Sequence, residues 1–251
     1  MLNKLEITGG RDRAGHPEAV ARLCLRPGDS LAVIGPTGSG KSELLADIEQ
    51  LAEGDTPSGR RVILNDGHKA ANVPRRPAVA TLSQRTNFIL DASVAEFVRL
   101  HAGSLGKEQE RLAEKTVTLA NTLCGEPFAV GSPLQRLSGG QARALMIADI
   151  ALISDAPVVL IDEVENAGID KRLALNALAG QGKISVISTH DPVLILSCPR
   201  RLVMASGGMN HLLDLSPEEK ICRSSLERMD DALLRARTTL RGGGRLAPEP
   251  D

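Results

Sequence analysis

At 251 residues, with 42% apolar content and a formal net charge of −1, the chain can bury one substantial core, or a core with a smaller satellite. Charges of both signs are spread along it, so there is no basic field to attract nucleic acid and no acidic tail. Cys24, Cys124, Cys198 and Cys222 lack the paired spacing of a zinc or redox motif, Glu6 interrupts the stretch where a signal peptide would be apolar, and no run approaches the roughly 20 apolar residues of a membrane span. These features predict a cytoplasmic protein with thiols kept reduced; if it serves a membrane process, another chain crosses the bilayer.

Short apolar runs then alternate with helical stretches, the pattern of an α/β fold whose strands are buried on both faces. An edge strand is expected over Leu2–Thr8, followed by strands at Ser30–Ile34, Val62–Leu64 and Ala78–Leu82, with a helix over Ser42–Leu51. From about Ala92 to Ile153 the chain reads as helix without a strand. Ser93-Val94-Ala95-Glu96 forms a capping box, and Leu112, Leu119 and Leu123 stripe a second helix. Strands resume at Val158–Ile161, Ser185–Ser188 and Leu202–Ala205, with a helix at Asp170–Ala179 that Gly180 and Gly182 end. The organisation predicted is therefore an α/β core at 1–91 and 154–214 interrupted by a helical subdomain at 92–153. A C-terminal helix over 215–241 and a disordered tail over 242–251 complete it. In that helix Cys222, Leu226, Met229, Leu233, Ala236 and Leu240 recur at spacings of four and three, fewer than three heptads in all; docking of this stripe on its own domain is the expectation.

Strand Ser30–Ile34 runs into Gly35-Pro36-Thr37-Gly38-Ser39-Gly40-Lys41-Ser42, the pattern G-x-x-x-x-G-K-[ST] between a strand and a helix. Glycines let backbone N–H groups turn toward phosphate oxygens, and the following helix aims its positive end at them. Lys41 supplies a point charge for the terminal phosphates of a nucleotide, and the Ser42 hydroxyl suits Mg²⁺. Downstream, Val158–Ile161 leads into Asp162 and Glu163. At the C-terminal edge of a parallel sheet Asp162 is placed to hold the Mg²⁺ shell and Glu163 to polarise the attacking water. A P-loop NTPase core with a parallel-rich sheet is the fold class predicted.

Leu137-Ser138-Gly139-Gly140-Gln141, opening a helix over Ala142–Ile153, is similar to the signature of the ATP-binding cassette (ABC) ATPases. The resemblance continues in order: Gln84 after Ala78–Leu82 matches the family's Q-loop glutamine, and His190 in Ser188-Thr189-His190-Asp191 matches its switch histidine. Gly59, the Val62–Leu64 strand and Asp66-Gly67 resemble the family's early antiparallel β region, so the match covers about residues 1–210. The resemblance implies an ATPase that works as a head-to-tail pair, homodimer or paralogue. Each ATP would lie between the Lys41 loop of one cassette and Ser138, Gly139, Gly140 and Gln141 of the other. It further implies that Glu163 activates water, that His190 contacts the γ-phosphate, and that Gln84 senses metal and water.

Two departures stand out. After Glu163 the chain reads Val164-Glu165-Asn166-Ala167-Gly168-Ile169-Asp170, without the family's proline and with one extra residue. The aromatic residue that usually stacks on adenine is also missing. The chain has no Trp or Tyr, its phenylalanines are Phe88, Phe97 and Phe128, and the remaining candidates ahead of the loop are Arg11, Arg13 and His16. The function implied is the ATPase subunit of a membrane transporter. Integral permease subunits would be its partners, received near Phe88 and the Ser93 helix start, and would hold it at the inner face of the cell membrane. A soluble ABC machine that assembles or remodels a protein shares the same site and stays open as the alternative, while the stretch from Gln84 to Leu137 is too short for the coiled coil of a DNA-repair ATPase.

Overall fold

The computed structural model describes residues 4–65, 77–83, 88–162 and 168–247. Two sheets organise it. A three-stranded antiparallel sheet has the order β2-β1-β4, with β1 Lys4–Thr8, β2 Arg22–Leu25 and β4 Arg61–Asn65. A six-stranded sheet has the order β5-β6-β7-β3-β8-β9, with β3 Ser30–Ile34, β5 Val79–Leu82, β6 Val158–Asp162, β7 Ile184–Ser188, β8 Arg200–Ala205 and β9 Gly208–Asp214. Every pairing in this sheet is parallel except the β8–β9 hairpin.

Side-chain alternation along the central strands divides the core in two. Leu31, Val33, Val158, Leu160, Ile184 and Val186 face one cluster, which also holds the β1–β2 leucines and helix α1, Lys41–Glu49. Ala32, Val159, Ile161 and Ile187 face the other, built with α2 Val94–Ser104, α3 Gln109–Leu123, α4 Gly139–Leu152, α5 Lys171–Gly180 and α6 Pro192–Ser197. The continuous apolar runs are therefore two-faced strands, as a parallel sheet covered on both sides requires.

The described residues between 92 and 153 hold helices and isolated bridges and no strand. Ser93 closes the expected capping box with Glu96. On α3 Leu123 is buried while Leu112 and Leu119 are partly so, and the buried face is filled out by Ala113, Thr116, Val117 and Ala120. Four described elements go beyond the predicted set: β2, β9, α6 and a single 3-10 turn at Leu134–Arg136.

The last helix, α7, runs over Pro217–Arg241 and is closed by a turn in which Gly243 N donates to Leu240 O; the rest of the tail expectation, 248–251, lies outside the described residues. The expected docking of its stripe is corrected. Ion pairs from Arg201 to Glu219 and from Arg172 to Glu227 anchor the first turns beside α6, but Met229 is 63% exposed, Leu233 55% and Leu240 56%. The Arg172–Glu227 pair lies on the side of the helix away from this stripe, so beyond the first turns the stripe points away from the body.

Candidate functional site

The phosphate loop begins where β3 ends. Pro36, Thr37 and Gly38 are exposed, and Lys41, 7% exposed, donates from Nζ to Gly35 O at 2.8 Å and Pro36 O at 3.3 Å, drawing the loop around its ammonium group. Helices α2 to α6 each close their N-terminus with a side chain (Ser93, Glu108, Ser138, Asp170 and Asp191), whereas α1 starts on Gly40 with no side-chain cap. Its first N–H groups thus keep their capacity to bind an anion. Ser39 Oγ is buried without a hydrogen-bond partner among the described residues, a second polar group in this loop that suits a phosphate oxygen.

Gly40 has φ 100, and a Cβ there would stand 2.8 Å from Gly207 Cα. Gly207 occupies the two-residue β8–β9 turn with Ser206 (φ 52 and 86, a type I′ geometry), and its N–H donates to Ser39 O at 2.9 Å. The back of the phosphate loop is therefore set directly on a hairpin turn: glycine at position 40 permits the approach, and glycine at 207 takes the positive φ of the turn.

Parallel register gathers the other candidates. Asp162 pairs with Ser188 across β6–β7, and Ser188 pairs with Val33 across β7–β3, so Asp162, the Ser188–His190 segment and the phosphate loop share one end of three adjacent strands. Asp162 is partly exposed and His190 is exposed. Ser42 is exposed in the first turn of α1. One hydroxyl and one carboxylate are hard oxygen donors of the kind Mg²⁺ takes together with phosphate oxygens, so the residues fit that ion. Gln84 and Glu163 lie outside the described residues.

The signature candidates open α4. Ser138 Oγ accepts from Gln141 N at 3.3 Å, while Gln141 Oε1 accepts from Ser138 N at 2.8 Å and its Nε2 donates to Glu126 O at 3.0 Å. The Gln141 side chain is thus committed to holding the cap. Ser138 and Gly139 are exposed, and Gly168 returns the chain to within 3.7 Å of Gly140, measured from the position a Cβ would take.

A family profile described as ABC transporter matches residues 20–166. An ABC transporter ATP-binding protein of Methanocaldococcus jannaschii is 46% identical over 251 residues, covering 99% of this chain and 96% of its own. The chain belongs to the ABC transporter ATP-binding family. Its similarity extends to the mycobactin import ATP-binding/permease protein of Mycolicibacterium smegmatis, 35% identical over 155 residues that cover 57% of this chain and 25% of that protein. In fold it superposes on the structure of cbiO1 from Clostridium perfringens, part of an ABC transporter complex. The TM-score is 0.62 at 19% identity, covering 96% of this chain and 100% of the other. As a member of this family the chain is an ATPase, converting ATP and water to ADP and phosphate, and its turnover energises a membrane transporter.

Beneath this cassette's phosphate loop lies a charge cluster that the sequence does not advertise. Arg60, fully buried, donates to Glu18 Oε1 from Nε at 3.0 Å and Nη2 at 2.6 Å, to Asp47 Oδ2 from Nη1 at 2.9 Å, and to Gly207 O from Nη2 at 2.6 Å. Glu18 also accepts from Gly10 N at 2.9 Å and Met209 N at 2.8 Å. Burial disfavours the Arg60 charge, but Glu18 and Asp47 outweigh it and hold the pKa above its ordinary value. The cluster ties α1, the loop after β1 and the hairpin turn behind Gly40 into one unit. Residues 18, 47 and 60 carry no shared spacing, so no pattern in the sequence could associate them.

The same turn separates the candidate base platforms. Arg11 Nη1 donates to Gly15 O at 2.8 Å, so its guanidinium serves its own loop. His16 Nδ1 lies 3.4 Å from Asp12 and the side chain is 76% exposed. Arg13, by contrast, donates its N–H to Ser206 O at 2.9 Å and lays its stem over the hairpin, where a Cβ on Gly207 would meet Arg13 Cγ at 2.7 Å.

Proposed function

We propose that two copies of this cassette, or one copy and a paralogue, close head to tail around two molecules of ATP and drive an integral permease made by other chains. The observation that carries the ATP site is the uncapped N-terminus of α1 behind a loop drawn around Lys41. Lys41 neutralises the terminal phosphates, Ser39 and the loop amides bind their oxygens, and Ser42, Asp162 and Gln84 hold Mg²⁺. When bound, that ion offsets charge on the β- and γ-oxygens. Glu163 orients and deprotonates water, and His190 contacts the γ-phosphate.

The second half of each site comes from the other cassette. Because Ser138 Oγ accepts from Gln141 N, its own proton is left to donate outward, toward an anion at the exposed start of α4. Gly139 and Gly140 keep the approach to the backbone open there. Permease docking is supported by the segment that follows Gln84 in sequence: Phe88 packs edge-on to Phe97 with ring centroids 5.0 Å apart, while Ile89 is 93% exposed and Leu90 45%. Relatives such as the mycobactin importer carry ATP-binding and permease functions under one name, and this chain spans about a quarter of that protein's length. Among the described residues no helix is long and apolar enough to cross a membrane. The spanning part of the transporter is therefore assigned to partner chains, which would hold the cassette peripherally at the membrane.

Glu163→Gln tests the assignment. The amide keeps the shape and loses the base, so ATP binding should persist while turnover falls by about 10²–10⁴-fold. The closed pair should then be trapped as an ATP-dependent dimer in size-exclusion chromatography. Normal turnover by this variant would remove Glu163 from its role.

A further inference from the structure

Pleating sorts the central strands into rows of side chains that share a face. Leu31, Val186 and Leu160 are register partners across β3, β7 and β6, and all three are buried in the cluster that holds α1. The next row on that face, one pleat toward the phosphate loop, is Val33, Ser188 and Asp162. Helix α1 packs on β6 and β7 and starts at this end of the strands, so this row is the one nearest its first turn, which carries Lys41 and Ser42.

Ser188 is 1% exposed, and its Oγ has no hydrogen-bond partner among the described residues. Packing does not call for a hydroxyl here. Valine fills the same face of β7 one row earlier, and a buried hydroxyl without a partner is a cost to the fold. Strand alternation aims it instead to the side of the sheet that Asp162 and the phosphate loop share. Neighbouring strands lie about 4.8 Å apart, so a hydroxyl and a carboxylate on one row come within reach of each other through their side-chain torsions. Ser185, three residues earlier on β7, is the contrast. Its Oγ is likewise buried and unpartnered among the described residues, but it shares the opposite face with Ile187 and its register partner Val159.

We infer that Ser188 is a positioning residue for the Mg²⁺ site, its hydroxyl donating to Asp162 when that carboxylate joins the shell of the ion. A carboxylate that turns one oxygen to a metal shell leaves the other to accept, and a donor on that second oxygen fixes its direction. The inference rests on the proposed role of Asp162 in holding Mg²⁺. It adds a residue that touches neither ion nor nucleotide and acts through Asp162.

Binding of a non-hydrolysable ATP analogue tests this without turnover. Each full-length protein is titrated with Mg²⁺ at fixed analogue, and affinity for the analogue is measured again in EDTA. Ser188→Ala should raise the Mg²⁺ midpoint about tenfold or more, as loss of a hydrogen bond to a metal ligand does. Affinity in EDTA should stay close to wild type, and the melting temperature of the nucleotide-free protein should hold or rise, because an unpartnered hydroxyl is removed. Ser188→Thr keeps the donor and should stay close to the wild-type midpoint, and Ser185→Ala should leave it unmoved. An unmoved midpoint in Ser188→Ala, with Ser42→Ala and Asp162→Asn shifted, would overturn the inference and leave the Mg²⁺ site standing. If neither Ser42→Ala nor Asp162→Asn shifts the midpoint, the Mg²⁺ reading itself fails and this inference with it. An equal shift from Ser185→Ala, or from Ser188→Thr with an unchanged melting temperature, would assign the effect to packing and overturn the inference too.

Discussion

At the scale of single residues, the least ordinary feature of this cassette is how it treats the base of its nucleotide. Stacking on an aromatic ring is worth about 1–3 kcal/mol per base, and this chain has no aromatic ring ahead of its phosphate loop other than His16. The structure leaves Arg13 as the side chain best placed to substitute, because it covers the hairpin turn that touches Gly40 while Arg11 and His16 bond within their own loop. A guanidinium over a purine contributes about 0.5–1 kcal/mol at an exposed site and discriminates weakly between bases. ATP and GTP should therefore bind within about tenfold of each other, which is about 1.4 kcal/mol. Arg13→Ala should weaken both by about two- to fivefold, with Arg11→Ala and His16→Ala near wild type, in equilibrium titrations with each nucleotide. A hundredfold preference for ATP that survives all three changes would place base recognition elsewhere. Arg60 works at the same scale but out of reach of solvent. Removing a partner from such a buried pair typically costs about 3–5 kcal/mol, because Glu18 and Asp47 would be left charged and unmatched. Its contribution to the site is indirect, through the Gly207 turn that backs Gly40.

Between elements, one contact makes the helical region sensitive to pH. His101 on α2 meets Asp149 on α4, with Nδ1 2.9 Å and 2.8 Å from the two carboxylate oxygens. The Asp149 hydrogen bond raises the His101 pKa above its ordinary value, against a smaller opposing effect of burial; Lys107 lowers it slightly and Asp155 raises it. A raised folded-state value means that protonated His101 stabilises α2 against α4 fully below about pH 6.5, the unfolded value. That stabilisation is lost as pH rises through the folded value. Thermal melts should show wild type losing its advantage over His101→Gln across that window, and equal slopes in the two proteins would deny the contact any part in stability. How far the elements could be read from sequence follows from what each one asks of its residues. Strands β3 and β6 are buried on both faces and so write themselves as near-continuous apolar runs, and β7 does the same apart from its small buried serines, Ser185 and Ser188. The polar pair Asn210-His211 interrupts β9, and the four residues of β2 are too few to show a period. Pro192 looks like a breaker, yet it stands at the first position of α6, where its missing N–H costs nothing, with Asp191 as cap. The α7 stripe was legible as a period, but its exposure was not: periodicity fixes which residues share a face and says nothing of what covers it. The phosphate loop and the Ser138 cap were plain in sequence because their chemistry is local, whereas the Arg60 cluster and the Gly40–Gly207 approach depend on residues tens to more than a hundred positions apart.

For the whole molecule, the proposed division of phosphate-binding groups between the Lys41 loop and the start of α4 leads to a test that a single-chain site would fail. Substituting Ser138→Arg should spare nucleotide binding to the isolated chain, because the Lys41 loop is untouched, yet abolish hydrolysis by filling the place of the γ-phosphate in the opposing site. Lys41→Ala should be inactive for the complementary reason, with the signature intact and the cradle lost. A head-to-tail pair formed from one copy of each has one site in which both halves are intact and one in which both are damaged. Random pairing of equal amounts makes half of the pairs mixed, so the mixture should recover about a quarter of wild-type turnover per cassette if the two sites act independently. Steady-state phosphate release at a series of mixing ratios measures this directly, and the activity should peak at equal proportions. If each site were complete within one chain, every ratio would return the zero activity of the two parents. Zero at all ratios would also follow if the sites fire only together, and nucleotide trapping separates these cases. A coupled mixed pair would still occlude one ATP when Glu163→Gln is added to both chains, whereas chains that never share a site would occlude none.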